Sequence, residues 1–302
     1  MKKILFVVNK KTGSGKNSSK VYQAIREFAA AGCATTVCPI DNGLKVEAED
    51  YLREEKFEKV ICMGGDGTLS HTVSTVIEMD DRPDIGYIPA GTTNDFSNNI
   101  GLGKDIKRAA LTALYGDRFD FDIGRFNERY VTYVAVFGAF ADVSYDTNQH
   151  FKNIFGHAAY VIKGLAEAPR SLMDKCHMKI ETDDETFEGD YIFGALGNSF
   201  TVGGFKLKGM QRENLNDGYY ELFLIPSPKS KKELPRIAAS ILKNKENSPY
   251  VIFKRIKHAH ITAGKNTGWT IDGEEGGNIT EVDFEVLPKA VTVMTPEYRG
   301  KR

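Results

Sequence analysis

Cysteine is scarce and placed badly for chemistry. The four cysteines among 302 residues, Cys33, Cys38, Cys62 and Cys176, form no CxxC or other metal-ligand spacing, and three sit in or beside apolar strand-like runs. Buried structural thiols follow. Long apolar runs are missing as well, with nothing near the ~18 residues of a membrane span. Met1-Lys2-Lys3 leads straight into Ile4-Leu5-Phe6-Val7-Val8, too short for the core of a secretory signal and without a small-residue cleavage site. Net charge is almost absent: 40 Lys and Arg face 41 Asp and Glu. No global field draws the chain to nucleic acid, and any membrane or polyanion contact has to be local. These absences point to a cytoplasmic protein, with peripheral contact at the inner membrane surface still open. Internal repeats, low-complexity tracts and long linkers are missing too.

What is present is ordinary for a globular chain with a proper core, at 41% hydrophobic and 27% charged residues. The length exceeds the ~100 to 200 residues usual for one domain, so two domains are expected. Strand and helix signals alternate in the first third. Ile4 to Val8 is an apolar run, and Val21, Ala24, Ile25 and Phe28 mark one helix face ending at Gly32. Ala34 to Ile40, a helix over Val46 to Glu55, Lys59 to Met63, a helix from Leu69 to about Met79 and Ile85 to Pro89 continue the alternation, and a further helix is expected over Asp105 to Tyr115. A parallel, helix-covered sheet is the consequence.

From about Phe119 the texture changes. Tyr130 to Phe137, Met178 to Thr182, Tyr191 to Leu196, Tyr219 to Ile225, Tyr250 to Ile256, His258 to Ala263 and Val282 to Leu287 read as strands, most of them separated by Gly, Asn or Asp turns. Phe151 to Leu165 and Lys231 to Lys243 are the helical segments of this half. It is therefore expected to be mainly antiparallel, a sandwich or barrel-like body. The boundaries expected are 1–122 for an α/β nucleotide domain, 123–288 for the β domain, and 289–302 for a terminal strand returning to the first.

The strongest local signal is Gly64-Gly65-Asp66-Gly67-Thr68, after a buried-strand pattern and before a helical one. Its glycines let backbone approach a ligand, and amides at a helix N-terminus offer donors and a positive dipole end to phosphate oxygens. Asp66 makes sense there as a carboxylate holding Mg²⁺ beside a triphosphate. Gly13-Ser14-Gly15-Lys16 is only part of a Walker A loop, because the full pattern needs Gly at position 10 and Ser or Thr at 17, where the chain has Lys10 and Asn17. The segment Asn9 to Lys16 still leaves the first strand and enters the first helix, which suits a second side of the pocket. The third loop, Gly91-Thr92-Thr93-Asn94-Asp95-Phe96, follows another parallel strand, so all three loops collect at one sheet edge. Thr92 suits a phosphate contact and Asp95 a second carboxylate for hydrated Mg²⁺, while Thr-Asn-Asp is equally a common helix N-cap. Far downstream, Asp272-Gly273-Glu274 ends a strand; Asp-Gly is also the commonest hairpin turn.

Taken together, Asn9 to Lys16, GGDGT at 64–68, GTTNDF at 91–96 and DGE at 272–274 resemble the diacylglycerol kinase catalytic family, closest to its soluble bacterial branch. The resemblance spans nearly the whole chain. It implies an N-terminal α/β domain like those of the phosphofructokinase and NAD kinase superfamily, and a C-terminal β-sandwich. It also implies ATP and Mg²⁺ as cofactors and a lipid alcohol, diacylglycerol first, as acceptor. By motif, Asn9, Gly13, Gly64 to Thr68, Thr92 and Glu274 border the nucleotide. Asp272 is the general base, with Asp66 and Asp95 beside it in the catalytic group. Asn214-Leu215-Asn216-Asp217-Gly218-Tyr219 resembles the turn that binds a structural Mg²⁺ in the bacterial branch, through Asn214, Asp217 and Tyr219. The first loop departs from the family pattern in having Lys10 for Pro and Thr12 for a small residue, and Ile40 falls where Thr is common.

Phosphoryl transfer demands alignment and charge neutralisation above all, which clustered loops and Mg²⁺ supply. A basic face at Lys229 to Lys232, with Lys243 and Lys245, is a candidate for transient membrane docking or a solvated helix face. An NAD kinase and a non-catalytic nucleotide- or lipid-binding sensor on the same scaffold are the competing readings. Acyl pockets leave no motif: Phe137, Phe140, Phe151, Phe155, Phe200 and Phe205 fit such a pocket or the core equally. The acceptor lipid and the assembly state, a homodimer included, stay open.

Overall fold

The structure is a computed structural model that describes residues 1–9, 18–41, 44–91, 94–138, 175–198, 201–202, 205–206, 212–243 and 247–297. The chain divides into two compact units, one of residues 1–123 with 288–302 and one of residues 124–287.

In the first unit, strands β1 (Lys2–Asn9), β2 (Cys33–Ile40), β3 (Lys59–Gly64) and β4 (Asp84–Pro89) pair in parallel in the order β4-β3-β1-β2. Helices α1 (Ser18–Ala30), α2 (Ala48–Glu54) and α3 (Asp66–Ile77) alternate with them, and α4 (Asp95–Asn99) and α5 (Ile106–Tyr115) follow β4. Strand β1 is buried on both faces, as a central parallel strand has to be, from Ile4 to Val8. Phe6 meets Phe28 of α1 edge-on at 5.1 Å. Its sheet neighbours Ile61 and Gly86 lie on the same face, against Ala113 of α5. Thr72 of α3 bonds Cys62 on the other face, where burial pushes the thiol up to about 12 and leaves it a small hydrophobe.

Strand β5 (Asp117–Phe126) was not legible as a strand. It lies where a domain boundary is expected, and its acids are fastened to the terminal segment: Asp122 accepts from the Lys289 amide at 2.7 Å and Asp120 from the Thr292 hydroxyl at 2.8 Å. That terminal segment also pairs in parallel with β4, Val293 opposite Ile85.

The second unit holds β6 (Arg129–Val131), β7 (Val134–Gly138), β8 (Cys176–Thr182), β9 (Thr186–Gly197), β10 (Thr201–Val202), β11 (Phe205–Lys206), β12 (Tyr220–Pro226), β13 (Asn247–Ser248), β14 (Val251–Ile256), β15 (His258–Ile271) and most of β16 (Glu274–Thr295), with helix α6 (Leu234–Lys243). Apart from the small β10-β11 pair, the strands join antiparallel into one sheet, not two separate ones. Strands β7 and β8 both bridge β9 and β15. Tyr220 of β12 nevertheless stacks at 5.2 Å on Phe284 of β16, several strands away, so the sheet curls around a core containing Trp269, Phe137 and Leu222. Its other face carries Phe223 and Ile225 under Leu234, Ile237 and Ile241 of α6. The segment Phe151 to Leu165 lies outside the described residues.

A Cβ at Gly86 would sit 2.6 Å from the Ala113 Cβ and 3.0 Å from Ile61. Gly86→Ala is expected to lower stability by about 1–3 kcal/mol in urea unfolding. The loss should shrink when Ala113→Gly is also present.

Candidate active site

The order β4-β3-β1-β2 reverses direction between β3 and β1, and open parallel sheets take their ligands at the carboxyl ends of the strands beside such a switch. Asn9 ends β1 there, half-buried, and Gly64 ends β3 opposite Pro89 of β4. The carbonyl oxygen of Gly64 accepts from the amides of Ala90 at 2.7 Å and Gly91 at 3.1 Å, and from the Tyr87 hydroxyl at 3.3 Å. Tyr87 also reaches the side chain of Asn94. Asn94, at φ +57° and buried, is tied back to Gly91, its Oδ1 accepting from Gly91 N at 3.0 Å and its Nδ2 donating to Gly91 O at 2.9 Å. The Thr-Asn-Asp sequence predicts a helix N-cap, and Asn94 does stand at the N-cap of α4, though its side chain makes no capping hydrogen bond. Its left-handed backbone is one that Asn tolerates better than most residues.

The two glycine loops touch through backbone. A Cβ at Gly91 would lie 2.5 Å from the Gly65 Cα, and one at Gly64 would strike the Thr68 hydroxyl at 2.2 Å. Gly65 caps α3 without a side chain to offer, so the first amides of a 12-residue helix face the loop. Thr68 is buried, and Asp66 and Gly67 are half-buried. One oxygen of Asp66 accepts from the Phe96 amide at 3.2 Å, which ties GGDGT to the first turn of α4. Asp95 is placed by its backbone alone, as the first residue of α4. Gly13 and Thr92 lie outside the described residues.

In the second unit Asp272 and Gly273, at φ +50° and +83°, make the two-residue turn between Ile271 and Glu274. Left-handed angles at both positions suit the twist of a hairpin. Asp272 is 3% exposed, and its carboxylate accepts three amides: Thr132 at 2.7 Å on one oxygen, Tyr133 at 3.0 Å and Val134 at 3.1 Å on the other. Its own amide donates to Val134 O at 2.8 Å, so the chain between β6 and β7 is folded around this one side chain. This is also why the strand expected over Tyr130 to Phe137 divides in two. Glu274 is exposed. Phe137 belongs to the core, 4.9 Å from Trp269. Phe140, Phe151, Phe155 and Phe200 lie outside the described residues, and Phe205 is placed by its backbone alone.

At the Asn214 turn the Asp217 carboxylate accepts from the Asn214 side-chain amide at 3.0 Å, the Tyr219 amide at 3.1 Å and the Arg255 guanidinium. Arg255 also lies 4.3 Å over the Tyr219 ring. The Mg²⁺ expected at this turn would rest on Asp217 and on the main-chain carbonyls near Asn214 and Tyr219, with the Arg255 guanidinium beside the carboxylate. Among the described residues no group of three or more His, Cys, Asp or Glu is arranged for a metal. Two positions further on, Glu221 is 1% exposed and its Oε2 has no hydrogen-bond partner. Burial, reinforced by the charge of Asp217 and opposed by Arg255, pushes Glu221 up to about 8.

Loops of this build at the carboxyl ends of parallel strands define a ligand-binding α/β protein. Residues 3–126 match the diacylglycerol kinase catalytic domain. A diacylglycerol kinase of Staphylococcus carnosus is 33% identical over 83% of this chain and 81% of its own length. One of Bacillus subtilis is 29% identical over 100% of this chain and 99% of its own. A solved structure of a diacylglycerol kinase from Bacillus anthracis superposes with a TM-score of 0.75 at 20% identity, covering 97% of each chain, a likeness of fold. The chain belongs to the diacylglycerol kinase family, and with it to the lipid kinases. Among the described residues no helix is long and apolar enough to cross a membrane.

Gly91→Ala has no room against the backbone of Gly65, whereas Gly65→Ala meets only ordinary contact at 3.5 Å. Thermal unfolding is expected to show a clear loss for the first and little change for the second. Glu221 makes a signed prediction. Its folded pKa is raised, so between 4.5 and about 8 the native state holds a proton that the unfolded state has released, and stability falls as pH rises through that window. Glu221→Gln removes the titration. Relative to the parent it should gain on the order of 3 kcal/mol between pH 4.5 and pH 8, read by urea unfolding at both.

Proposed function

We propose that the chain transfers the γ-phosphate of ATP, with Mg²⁺, to the hydroxyl of diacylglycerol, giving phosphatidic acid. The observation that carries this reading is the backbone lock between GGDGT and GTTNDF at the carboxyl edge of β3 and β4. The relatives named as diacylglycerol kinases support the acceptor. On this reading the first unit is the nucleotide domain, akin to those of the phosphofructokinase and NAD kinase superfamily, and the second is the lipid-kinase domain.

The N-terminal amides of α3 and the glycines around Gly65 bind phosphate oxygens, and Asn9, Gly13, Thr92 and Glu274 border the nucleotide. Glycine at 64 and 91 lets the two loops close on each other, since a Cβ there would strike Thr68 and Gly65. Asp66 and Asp95 supply the hard oxygen donors that Mg²⁺ prefers, and the cation supplies charge neutralisation when bound. Asp66, bonded to Phe96, also holds the two loops in one geometry. Asp272 takes the proton of the acceptor hydroxyl. Its three backbone amides fix the carboxylate's orientation, which general base catalysis requires before anything else.

The same amides complicate the usual substitution. An asparagine has one carbonyl oxygen where two carboxylate oxygens now accept, so Asp272→Asn leaves at least one buried amide unpaired, at about 1–3 kcal/mol. The variant is expected to melt earlier. Below its melting point it should retain ATP binding by calorimetry and lose roughly 10²-fold or more in turnover. Turnover close to the parent's in the folded variant would remove Asp272 from the mechanism. A panel of diacylglycerol, ceramide, sphingosine, undecaprenol and NAD, each with ATP, should show diacylglycerol as the best acceptor. Transfer to NAD, or to none of them, would favour the competing readings.

A further inference from the structure

The chain that folds around Asp272 brings its own side chains with it. Thr132 and Tyr133 stand between β6 and β7, and their amides, with that of Val134, hold the carboxylate. Tyr133 is 8% exposed, and its hydroxyl lies 3.5 Å from where a Cβ on Gly273 would stand, against the turn itself. Thr132 is 1% exposed, and its hydroxyl oxygen is buried with no hydrogen-bond partner among the described residues. This hydroxyl and the amide that meets Asp272 at 2.7 Å branch from one Cα, so the hydroxyl belongs to the surroundings of the base.

Other buried hydroxyls among the described residues are engaged. Those of Thr72, Ser97, Thr267 and Thr295 donate to main-chain carbonyls, and Ser240 accepts from Ser248. A buried hydroxyl without a partner has lost its hydration and gained nothing in exchange, and such a group in a native fold calls for a role. Valine has the same shape and none of that cost, so threonine at this position is explained by something the hydroxyl meets during the reaction. Asp272 is itself 3% exposed, so whatever movement admits an alcohol to the carboxylate admits it to Thr132 as well.

We infer that Thr132 sets the class of acceptor: its hydroxyl donates to a carbonyl oxygen beside the reacting hydroxyl, so the site selects an ester-bearing glyceride over an ether-linked or bare alcohol. The inference rests on the reading of Asp272 as the base and deepens it. In a diacylglycerol whose free hydroxyl is terminal, the ester on the adjacent carbon carries an oxygen that can only accept, the natural partner of a hydroxyl with an unused proton. An ether oxygen is a poorer acceptor, and a long-chain alcohol such as undecaprenol offers none there. Asp272 takes the proton of the alcohol while Thr132 keeps its own, and no covalent bond to Thr132 forms or breaks. A donor built into the site also rejects acceptors that lack its partner, because the hydroxyl then stays unpaired.

The test compares a short-chain diacylglycerol with its dialkyl ether counterpart, each with ATP, by kcat/KM. The parent should prefer the ester by about 10-fold or more, the effect of one hydrogen bond to an otherwise unpaired buried group. Thr132→Val should bring the ratio to within about twofold of unity, and Thr132→Ser should preserve it. Asp272→Asn should slow both acceptors and leave the ratio as in the parent. Because Thr132→Val removes an unpaired polar atom without changing shape, its thermal unfolding midpoint should equal or exceed the parent's. A Thr132→Val ratio equal to the parent's would overturn the inference. So would a lower midpoint, which would mean that the hydroxyl already has a partner in the fold. Equal use of ester and ether by the parent would overturn it with phosphoryl transfer intact, whereas transfer to neither would fail the proposed reaction and the inference with it.

Discussion

The carbonyl oxygen of Gly64 receives the amides of Ala90 and Gly91 and the hydroxyl of Tyr87, and the remainder of the first unit's loop edge is organised around that point. Two of these donors, the Gly91 amide and the Tyr87 hydroxyl, are shared with the side-chain oxygen of Asn94, so the Gly64 carbonyl and Asn94 are held in place by the same groups. With that carbonyl fixed, β3 and β4 end in register and Gly91 comes to rest on Gly65. Asn94 then folds back over Gly91, and Asp66 can reach the amide of Phe96. The order of these contacts explains the glycines better than flexibility does. Gly64 and Gly91 are small because something already occupies the volume a side chain would need.

The second unit relies on a different economy of backbone. Its Asp272 stands in a two-residue turn that any Asp-Gly pair would make, yet its carboxylate does the work that a strand partner does elsewhere by accepting three successive amides from Thr132 to Val134. Charge-assisted bonds of this kind are shorter and stronger than amide-to-carbonyl ones. A turn residue and a holder of distant backbone are therefore one and the same side chain.

Much of the first unit was legible because its signals are local. An apolar strand, a glycine-rich turn and an amphipathic helix in sequence dictate a parallel layer, and the layer puts its loops together at one edge. What stayed hidden was non-local. Strand β5 lies where a domain boundary is expected, and the partners of its Asp120 and Asp122, Thr292 and Lys289, are far along the chain. Gly264, Lys265 and Asn266 suggest a turn, but β15 passes through them with only a shift of register between Thr262 and Thr267. Gly276, Gly277 and Asn278 mislead in the same way within β16. Asp272 was singled out by motif, while its amide partners, well over a hundred residues earlier, could not be read from it. Glu221 gave no signal at all, because a glutamate in an alternating strand reads as the solvent-facing residue until a layer of side chains covers it.

One unit of this chain is written in two pieces, residues 1–123 and 288–302, with the whole of the other unit between them. During synthesis the ribosome delivers the parallel layer first and its last edge only after the whole of the second unit. Until then Asp120 and Asp122 must wait without the hydroxyl and amide that they hold in the finished protein, beside a strand, β4, whose outer edge is still open. An uncovered edge is what chaperones recognise and aggregates exploit. The nascent first unit therefore carries an open edge until the closing strand covers it.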